Sequence, residues 1–121
     1  MATPRESFDG YVAAWNERDA ARRARLLDEC LADDFRLVTS GTVLRGREGL
    51  DGAIAAFQAR RPGARAAMAG PLEVQGRLFR VTGVVEEDGQ PPAWAFDAGE
   101  VDEAGRVRTI LTFVVEQAPG T

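Results

Sequence analysis

The sequence predicts an α+β fold in which a long antiparallel sheet follows three helices. Up to about residue 62, apolar residues recur at helical spacing in three separate segments. From Ala64 onward the period becomes two, and strands joined by short turns fit the pattern. A long sheet beside amphipathic helices tends to curl round them, so we expect a pocket between the two layers.

The composition is that of one globular domain spanning residues 1–121, with 45% apolar and 28% charged residues. No apolar run approaches the ~20 residues that a membrane span requires, and the first residues lack the apolar core of a secretory signal. We therefore expect a cytoplasmic protein with no membrane partner.

The charges argue against nucleic acid as a partner, because the net charge is −4 and binding phosphates takes a basic stripe. The densest basic group is Arg22, Arg23 and Arg25. Acidic residues accompany it on the same predicted helix, namely Asp19, Asp28 and Glu29. This mixture predicts a solvated helix face laced with ion pairs.

Missing residue types narrow the chemistry further. The chain contains no histidine and no lysine, so all fifteen basic residues are arginine. Histidine metal sites, Ser-His-Asp hydrolysis and Schiff-base lysines are excluded, and nothing in the sequence supports a metal or an organic cofactor. The single cysteine, Cys30, excludes an intrachain disulfide and is predicted to be a small buried apolar residue.

The first helix begins with a predicted capping box, in which Thr3 is the N-cap, Pro4 the first helical residue and Glu6 the residue that reaches back. One apolar stripe follows at helical spacing: Phe8, Tyr11, Val12 and Trp15. The helix is predicted to end between residues 16 and 18.

Asp19 is the predicted N-cap of a second helix from Ala20 to about Cys30, ended by Asp33 and Asp34. Its predicted inner residues are Ala24, Leu27 and Leu31. Strands are then predicted over residues 35–39 and 42–45. A third helix begins at residues 46–48, ends at Pro62-Gly63 and packs through Leu50, Ile54 and Phe57.

Four further strands are predicted over residues 65–75 (broken at Gly70-Pro71), 77–87, 93–102 and 106–117, and residues 117–121 are predicted to fray. The last two strands meet at a tight turn whose Gly105 suits a left-handed conformation. In the third of these strands, alternation places Asp97 on the same face as Ala95 and Gly99, where an apolar side chain would be expected.

Asp97 has two interpretations. It is either a pocket carboxyl whose pKa is raised by apolar walls, or a structural acid paired with Arg108 or Arg80. Tyr11, on the inner stripe of the first helix, is either a core residue or a second polar group of the pocket. Arg80 faces outward if Phe79 and Val81 face the core, which is the phase that the apolar count favours.

The predicted pocket wall consists of Trp15, Phe35, Thr39, Phe57, Phe79 and Ile110. The aromatic residues among them also fit a simple core. Trp94 and Phe96 lie on the face opposite to Asp97, and exposed aromatic residues in a row predict a homodimer interface on the outer face of the sheet.

Three strings in this order, A-D-D-F at 32–35, G-R-E-G-L at 46–50 and D-x-x-G-R-V at 102–107, resemble the nuclear transport factor 2-like superfamily and its SnoaL-like branch. The resemblance covers almost the whole chain. It implies a cone, like the cystatin-like roll, in which a curved sheet wraps helices around a pocket at the open end, and it implies homodimers. The superfamily contains enzymes and non-catalytic binders, so function has to be argued from the site.

Ketosteroid isomerase, within that superfamily, gives the nearest residue-level similarity. It implies that Tyr11 and Asp97 match an oxyanion-hole pair, whereas Thr39 stands where the general-base aspartate would be. The epoxide hydrolase pattern is not met, because Thr82 follows Arg80 at its acid position. Two functions follow: a small-molecule isomerase, cyclase or dehydratase that acts on an apolar carbonyl-bearing ligand with Thr39 and Arg80 assisting, or a non-catalytic binding or interaction module in which Asp97 is structural.

Overall fold

The computed structural model describes residues 2–115, and the prediction that residues 117–121 fray lies outside them. Three helices and seven strands form in the order that the sequence predicts. The helices are α1 (Pro4–Asn16), α2 (Ala20–Cys30) and α3 (Gly46–Arg60). The strands are β1 (Leu31–Thr39), β2 (Thr42–Arg45), β3 (Arg65–Met68), β4 (Glu73–Gln75), β5 (Leu78–Glu86), β6 (Ala93–Val101) and β7 (Val107–Val115).

The N-termini of α1 and α2 are capped by the side chains that the sequence predicts. The Glu6 backbone N–H donates to Thr3 Oγ1 at 3.1 Å, and the Thr3 N–H donates to Glu6 Oε1 at 2.9 Å, which completes the capping box. Asp19 accepts from the Arg22 N–H at 2.9 Å. The predicted N-caps of α1 and α2 are therefore both confirmed, because each satisfies a backbone donor that has no partner within the helix.

The predicted end of α2 at about Cys30 is confirmed, but Asp33 and Asp34, which were predicted to end it, lie inside β1, which begins at Leu31. Leu31 and Ala32 are buried, and Leu31 pairs with Val107 of β7. Burial and pairing with β7 therefore favour a strand at residues 31–34, where the local sequence pattern indicated the end of a helix.

The prediction of a solvated arginine face on α2 is wrong for Arg23, which is only 5% exposed. Its guanidinium pairs with Asp51 of α3 and donates to the Glu17 carbonyl at 3.0 Å and to Gln58 Oε1 at 3.2 Å. Arg23 takes the inner position that was predicted for Ala24, which is exposed. The buried face of α2 is therefore Arg23, Leu27 and Cys30, and its arginine links the α1–α2 connection to α3.

All seven strands belong to one curved sheet with the order β2-β1-β7-β6-β5-β3, and β4 adds to β5 beside β3. The pairing is antiparallel except between β1 and β7, which run parallel, so the sheet is mixed. Parallel strands need a long connection between them, and the chain from β2 to β6 provides it for β1 and β7. β6 and β7 therefore lie in the middle of the sheet, each with a strand on both sides.

A one-residue bulge in β7 sets which of its side chains face the helices. Val101 pairs with Val107 but Glu100 pairs with Thr109, so Arg108 is the extra residue. After the bulge Ile110 and Thr112 face inward, across from Gly99 and Asp97. Leu111 and Phe113 consequently face outward, and the Arg108 side chain pairs with Asp34 in the irregular stretch of β1.

The core lies between the helices and the inner face of the sheet. Its largest fully buried side chains are Phe8, Leu27, Leu31, Phe35, Leu50, Ile54, Val107 and Ile110. At the β6–β7 turn Gly105 has a φ of +83°, as predicted, and its carbonyl accepts from Ser7 Oγ at 2.6 Å. This contact ties the start of α1 to the central hairpin. None of the described helices is long and apolar enough to cross a membrane.

Candidate functional site

Asp97 lies on the inner face of β6 and is only 8% exposed. Its Oδ1 accepts a hydrogen bond from Thr112 Oγ1 at 2.7 Å, across the β6–β7 pair. The ion pair with Arg80 or Arg108 that the sequence left open does not form. Arg80 lies on the outer face, where it pairs with Glu73 at 2.9 Å, and Arg108 pairs with Asp34 at 3.3 Å. A role for Arg80 in assisting the inner site is therefore wrong.

The environment of Asp97 favours the neutral carboxylic acid. Burial raises the pKa of Asp97 above its ordinary value, and the hydrogen bond from Thr112 opposes that shift without cancelling it. Among the residues that the structure describes, Oδ2 of Asp97 has no hydrogen-bond partner. In the described part of the chain the fully buried side-chain polar atoms without a partner are Arg47 Nε and Arg106 Nε, so Asp97 Oδ2 keeps some contact with solvent.

Tyr11 is also buried, on the face of α1 that packs against the sheet. Burial raises the pKa of Tyr11 strongly, the negative charge of Asp97 raises it further, and the nearby Trp15 indole acts the other way. The phenol is therefore neutral throughout the physiological range and able to donate. Tyr11 and Asp97 are close enough for the charge of Asp97 to affect the phenol, but no hydrogen bond joins them among the described residues.

The inner surface of the sheet differs on the two sides of Asp97. Toward the core, a side chain at Gly99 would collide with the Thr109 carbonyl and lie 2.8 Å from the Phe79 ring, so that side is filled. Toward the other end of the strands, the next inward positions are Gly83 and Ala95, which pair with each other. Asp97 therefore lies at the boundary between the packed core and the part of the inner sheet surface that is formed by Gly83 and Ala95.

The predicted wall residues fall into two groups. Phe35, Phe79 and Ile110 are fully buried members of the core. Trp15, Phe57 and Thr39 are half-buried, and the rings of Trp15 and Phe57 meet edge to face with centroids 5.5 Å apart. The half-buried group supplies the surfaces that a bound molecule could contact, whereas the buried group supports them from behind.

Thr112 was missed by the sequence reasoning. A threonine between Leu111 and Phe113 breaks an apolar run, which is the one local signal that pointed to it. Pairing through an ordinary tight hairpin from Val101 and Val107 would have put Leu111 opposite Asp97. The bulge advances the register by one residue and brings Thr112 there instead.

A groove of about 760 Å³ lies on the outer face of the sheet rather than between sheet and helices. Its lining includes Ala98, Thr109 and Leu111, together with charged residues of both signs: Arg36, Arg80, Glu73 and Glu100. Within residues 2–115 no group of three or more His, Cys, Asp or Glu side chains is placed to hold a metal ion.

Solved structures with the same fold include three informative ones. A proposed isomerase of the SnoaL-like family from Agrobacterium tumefaciens is 28% identical, with a TM-score of 0.84 over 95% of this chain and 99% of that one. An uncharacterised cystatin-fold protein from Novosphingobium aromaticivorans is 20% identical, with a TM-score of 0.71 over 93% and 98%. A proposed SnoaL-like polyketide cyclase from Jannaschia is 14% identical, with a TM-score of 0.68 over 91% and 85%.

Sequence comparison alone finds less. No family model matches the chain, and no curated protein matches it significantly. The similarity to known proteins is therefore carried by three-dimensional structure, and the low identities to the cystatin-fold protein and the cyclase show the fold alone.

Proposed function

We propose that this chain, whose fold is that of the SnoaL-like branch of the nuclear transport factor 2-like superfamily, binds a small uncharged carbonyl-bearing molecule against Asp97 and Tyr11. It then catalyses an isomerase- or cyclase-type step by stabilising an oxyanion. The observation that carries the proposal is the buried Asp97 carboxyl, held by Thr112 through one oxygen and free at the other.

Two neutral donors are the appropriate groups for such a step. A protonated Asp97 and the phenol of Tyr11 can each donate to an oxygen on which negative charge develops, and low solvent access strengthens both hydrogen bonds. With Asp97 protonated, neither group carries a charge before the reaction, so neither demands a charged ligand. The loss of one such donor typically lowers kcat by about 10²–10³-fold.

The charges around the site support an uncharged ligand. The inward positions of β5, β6 and β7 carry no arginine, and Asp97 is their one carboxyl. A ligand carboxylate or phosphate would therefore be buried there without a cation, at a large desolvation cost. Ketones and enolisable polyketide-like compounds fit this electrostatic environment.

Thr39 restricts the reaction. It lies on the inner face of β1, two residues after Leu37, and a threonine hydroxyl does not remove a proton from carbon near neutral pH. We therefore propose substrates that are acidic enough to form an enol or enolate without a second carboxylate, such as 1,3-dicarbonyl compounds. The similar Agrobacterium protein, a proposed isomerase of the SnoaL-like family, supports an isomerase-type reaction.

The site contains its own optical reporter. Trp15 is one of two tryptophans in the chain and its ring lies 6.4 Å from that of Tyr11, whereas Trp94 is on the other face of the sheet. Trp94→Phe leaves Trp15 as the single tryptophan. Titration of that variant with 4-nitrophenol, a phenol that resembles an enolate when ionised, should quench Trp15 fluorescence and enrich the bound phenolate, seen by absorbance.

In the same background, Asp97→Asn and Tyr11→Phe should each weaken binding of 4-nitrophenol at least tenfold. Thr82→Ala, on the outer face across from Phe96, is the matched control and should change nothing. Unchanged affinity in both site variants would refute the proposed site. If the site variants do weaken binding, the wild-type protein is next assayed for turnover of 1,3-diketones and enol esters, and both variants should lose that turnover.

We also propose that the outer face of the sheet mediates a homodimer. The observation that favours it is the exposure of large apolar side chains there: Phe113 is 59% exposed and Leu111 is 39% exposed, and the Phe113 ring lies 6.4 Å from that of Phe96, tilted by 51°. Light scattering should give about twice the 13.1 kDa of one chain. Phe113→Arg should halve that mass, and Ala24→Arg, at an exposed site of α2 in the helical layer, should not. A wild-type mass equal to one chain would contradict the dimer.

A further inference from the structure

We propose that Thr112 is a positioning residue for Asp97, which fixes the carboxyl through Oδ1 and directs Oδ2 to the ligand. The ligand part of this proposal rests on the function proposed above, whereas the effect of Thr112 on Asp97 does not. Both residues lie on central strands of the sheet and form a direct cross-strand pair.

The geometry leaves Asp97 little freedom. β6 is held by β5 and β7 on either side, and β7 is held by β6 and β1. Thr112 is β-branched, so its own side chain has few accessible rotamers. A hydroxyl fixed in this way at 2.7 Å from Oδ1 selects one orientation of the carboxyl plane.

Proton counting gives the consequence for Oδ2. A threonine hydroxyl carries one proton, and here it is donated to Oδ1. As long as Thr112 is the donor to Oδ1, the proton of a neutral Asp97 is on Oδ2, which can donate it in a hydrogen bond to a ligand oxygen. When Asp97 is ionised, Oδ2 is the oxygen that accepts. The same atom faces the ligand in both protonation states.

Thr112 also acts against burial. Burial raises the pKa of Asp97, and the Thr112 hydrogen bond is the contact that lowers it. The other groups near this site do not carry a compensating positive charge. Tyr11 of α1 is neutral, burial raises the pKa of the Cys30 thiol on α2 to about 12, and Val81 of β5, across from Asp97, is apolar. Thr112 therefore moves the ionisation of Asp97 back toward the carboxylate.

The test is the titration of Asp97, followed through its carboxyl-carbon NMR signal in three proteins. Thr112→Val keeps the shape and removes the hydroxyl, so the pKa of Asp97 should rise by about one. Thr112→Ser keeps the hydroxyl and should return the pKa to the wild-type value. Thr82→Val, the same substitution on the outer face, should have no effect. An unchanged pKa in Thr112→Val would overturn the proposal, and Thr112→Ala replaces that variant should valine prevent folding.

Affinity for 4-nitrophenol gives the second readout. Thr112→Val should weaken binding at least threefold, with recovery in Thr112→Ser. A shifted pKa with unchanged affinity would overturn the positioning of Oδ2. A wild-type protein that does not bind the probe refutes the proposed function, and in that case the NMR titration still decides whether Thr112 controls the ionisation of Asp97.

Discussion

The two faces of the sheet shift the pKa of an acidic side chain in opposite directions. On the inner face Asp97 is buried beside a hydroxyl, and burial raises its pKa. On the outer face Glu73 is exposed and pairs with Arg80, whose hydrogen bond and charge lower the pKa of Glu73. Thr82, Val81 and Arg80 are consecutive in β5, so one step along a strand separates the two environments.

This difference shows where chemistry is available. An acid that is paired and hydrated is held as a carboxylate and has little to gain from a ligand. An acid that is buried without a cation shifts toward neutrality and keeps an unused hydrogen-bonding oxygen. The β7 bulge decides which residues take part in each environment, and the predictions below act on that assignment.

The largest effect is expected from inserting one alanine between Thr109 and Ile110. The insertion would shift every later pair by one residue and turn Leu111 and Phe113 inward in place of Ile110 and Thr112. We expect a loss of more than ~4 kcal/mol of unfolding free energy, or failure to fold, measured by urea denaturation. Arg108→Ala keeps the bulge and removes only an exposed ion pair, so it should cost less than ~1 kcal/mol. Similar losses in the two variants would mean that stability does not depend on the inward packing of Ile110 and Thr112.

A pair of neighbouring truncations compares the two faces directly. Ile110 is completely buried and Leu111 faces outward. Ile110→Ala should cost about 2–5 kcal/mol through lost burial and a residual cavity, whereas Leu111→Ala should change monomer stability by about 0.5 kcal/mol. Urea midpoints at a protein concentration low enough to dissociate dimers provide the measurement, and equal costs would contradict the inward assignment of Ile110.

The smallest effect concerns pH. Because the folded-state pKa of Asp97 lies above its ordinary value of 3.8, the unfolded chain releases that proton first as pH rises. Stability should therefore fall between pH 3.8 and the folded-state pKa, and Asp97→Asn should remove that fall. For Glu73 the pKa is lowered, so its contribution is present above its ordinary pKa of 4.5 and is lost as pH falls through the folded-state value.

Thermal midpoints between pH 3 and pH 8 check both signs. Glu73→Gln should show the opposite pH dependence to Asp97→Asn, and a much smaller one, because Glu73 is fully exposed to solvent. A wild-type stability that rises with pH relative to Asp97→Asn would mean that Asp97 is stabilised as a carboxylate, and would count against the neutral-acid site.

Local signals in the sequence determined most of the elements. The caps at Thr3 and Asp19, the glycine of the β6–β7 turn and the change from helical to alternating apolar spacing each act within a few residues. They therefore predicted three helices, the strand order along the chain and the inward side of β6. Asp97 was found as a candidate because an acid in the middle of an inward strand face is visible from alternation alone.

Other features were decided only by tertiary structure, because they depend on contacts between distant parts of the chain. The start of β1 depends on pairing with β7, and the burial of Arg23 depends on Asp51 and Gln58, which lie in another helix. The partner of Asp97 depends on a single extra residue near the β6–β7 turn. Since side chains alternate with a period of two, that residue exchanges the faces of every position after it, and it places Thr112 beside the acid.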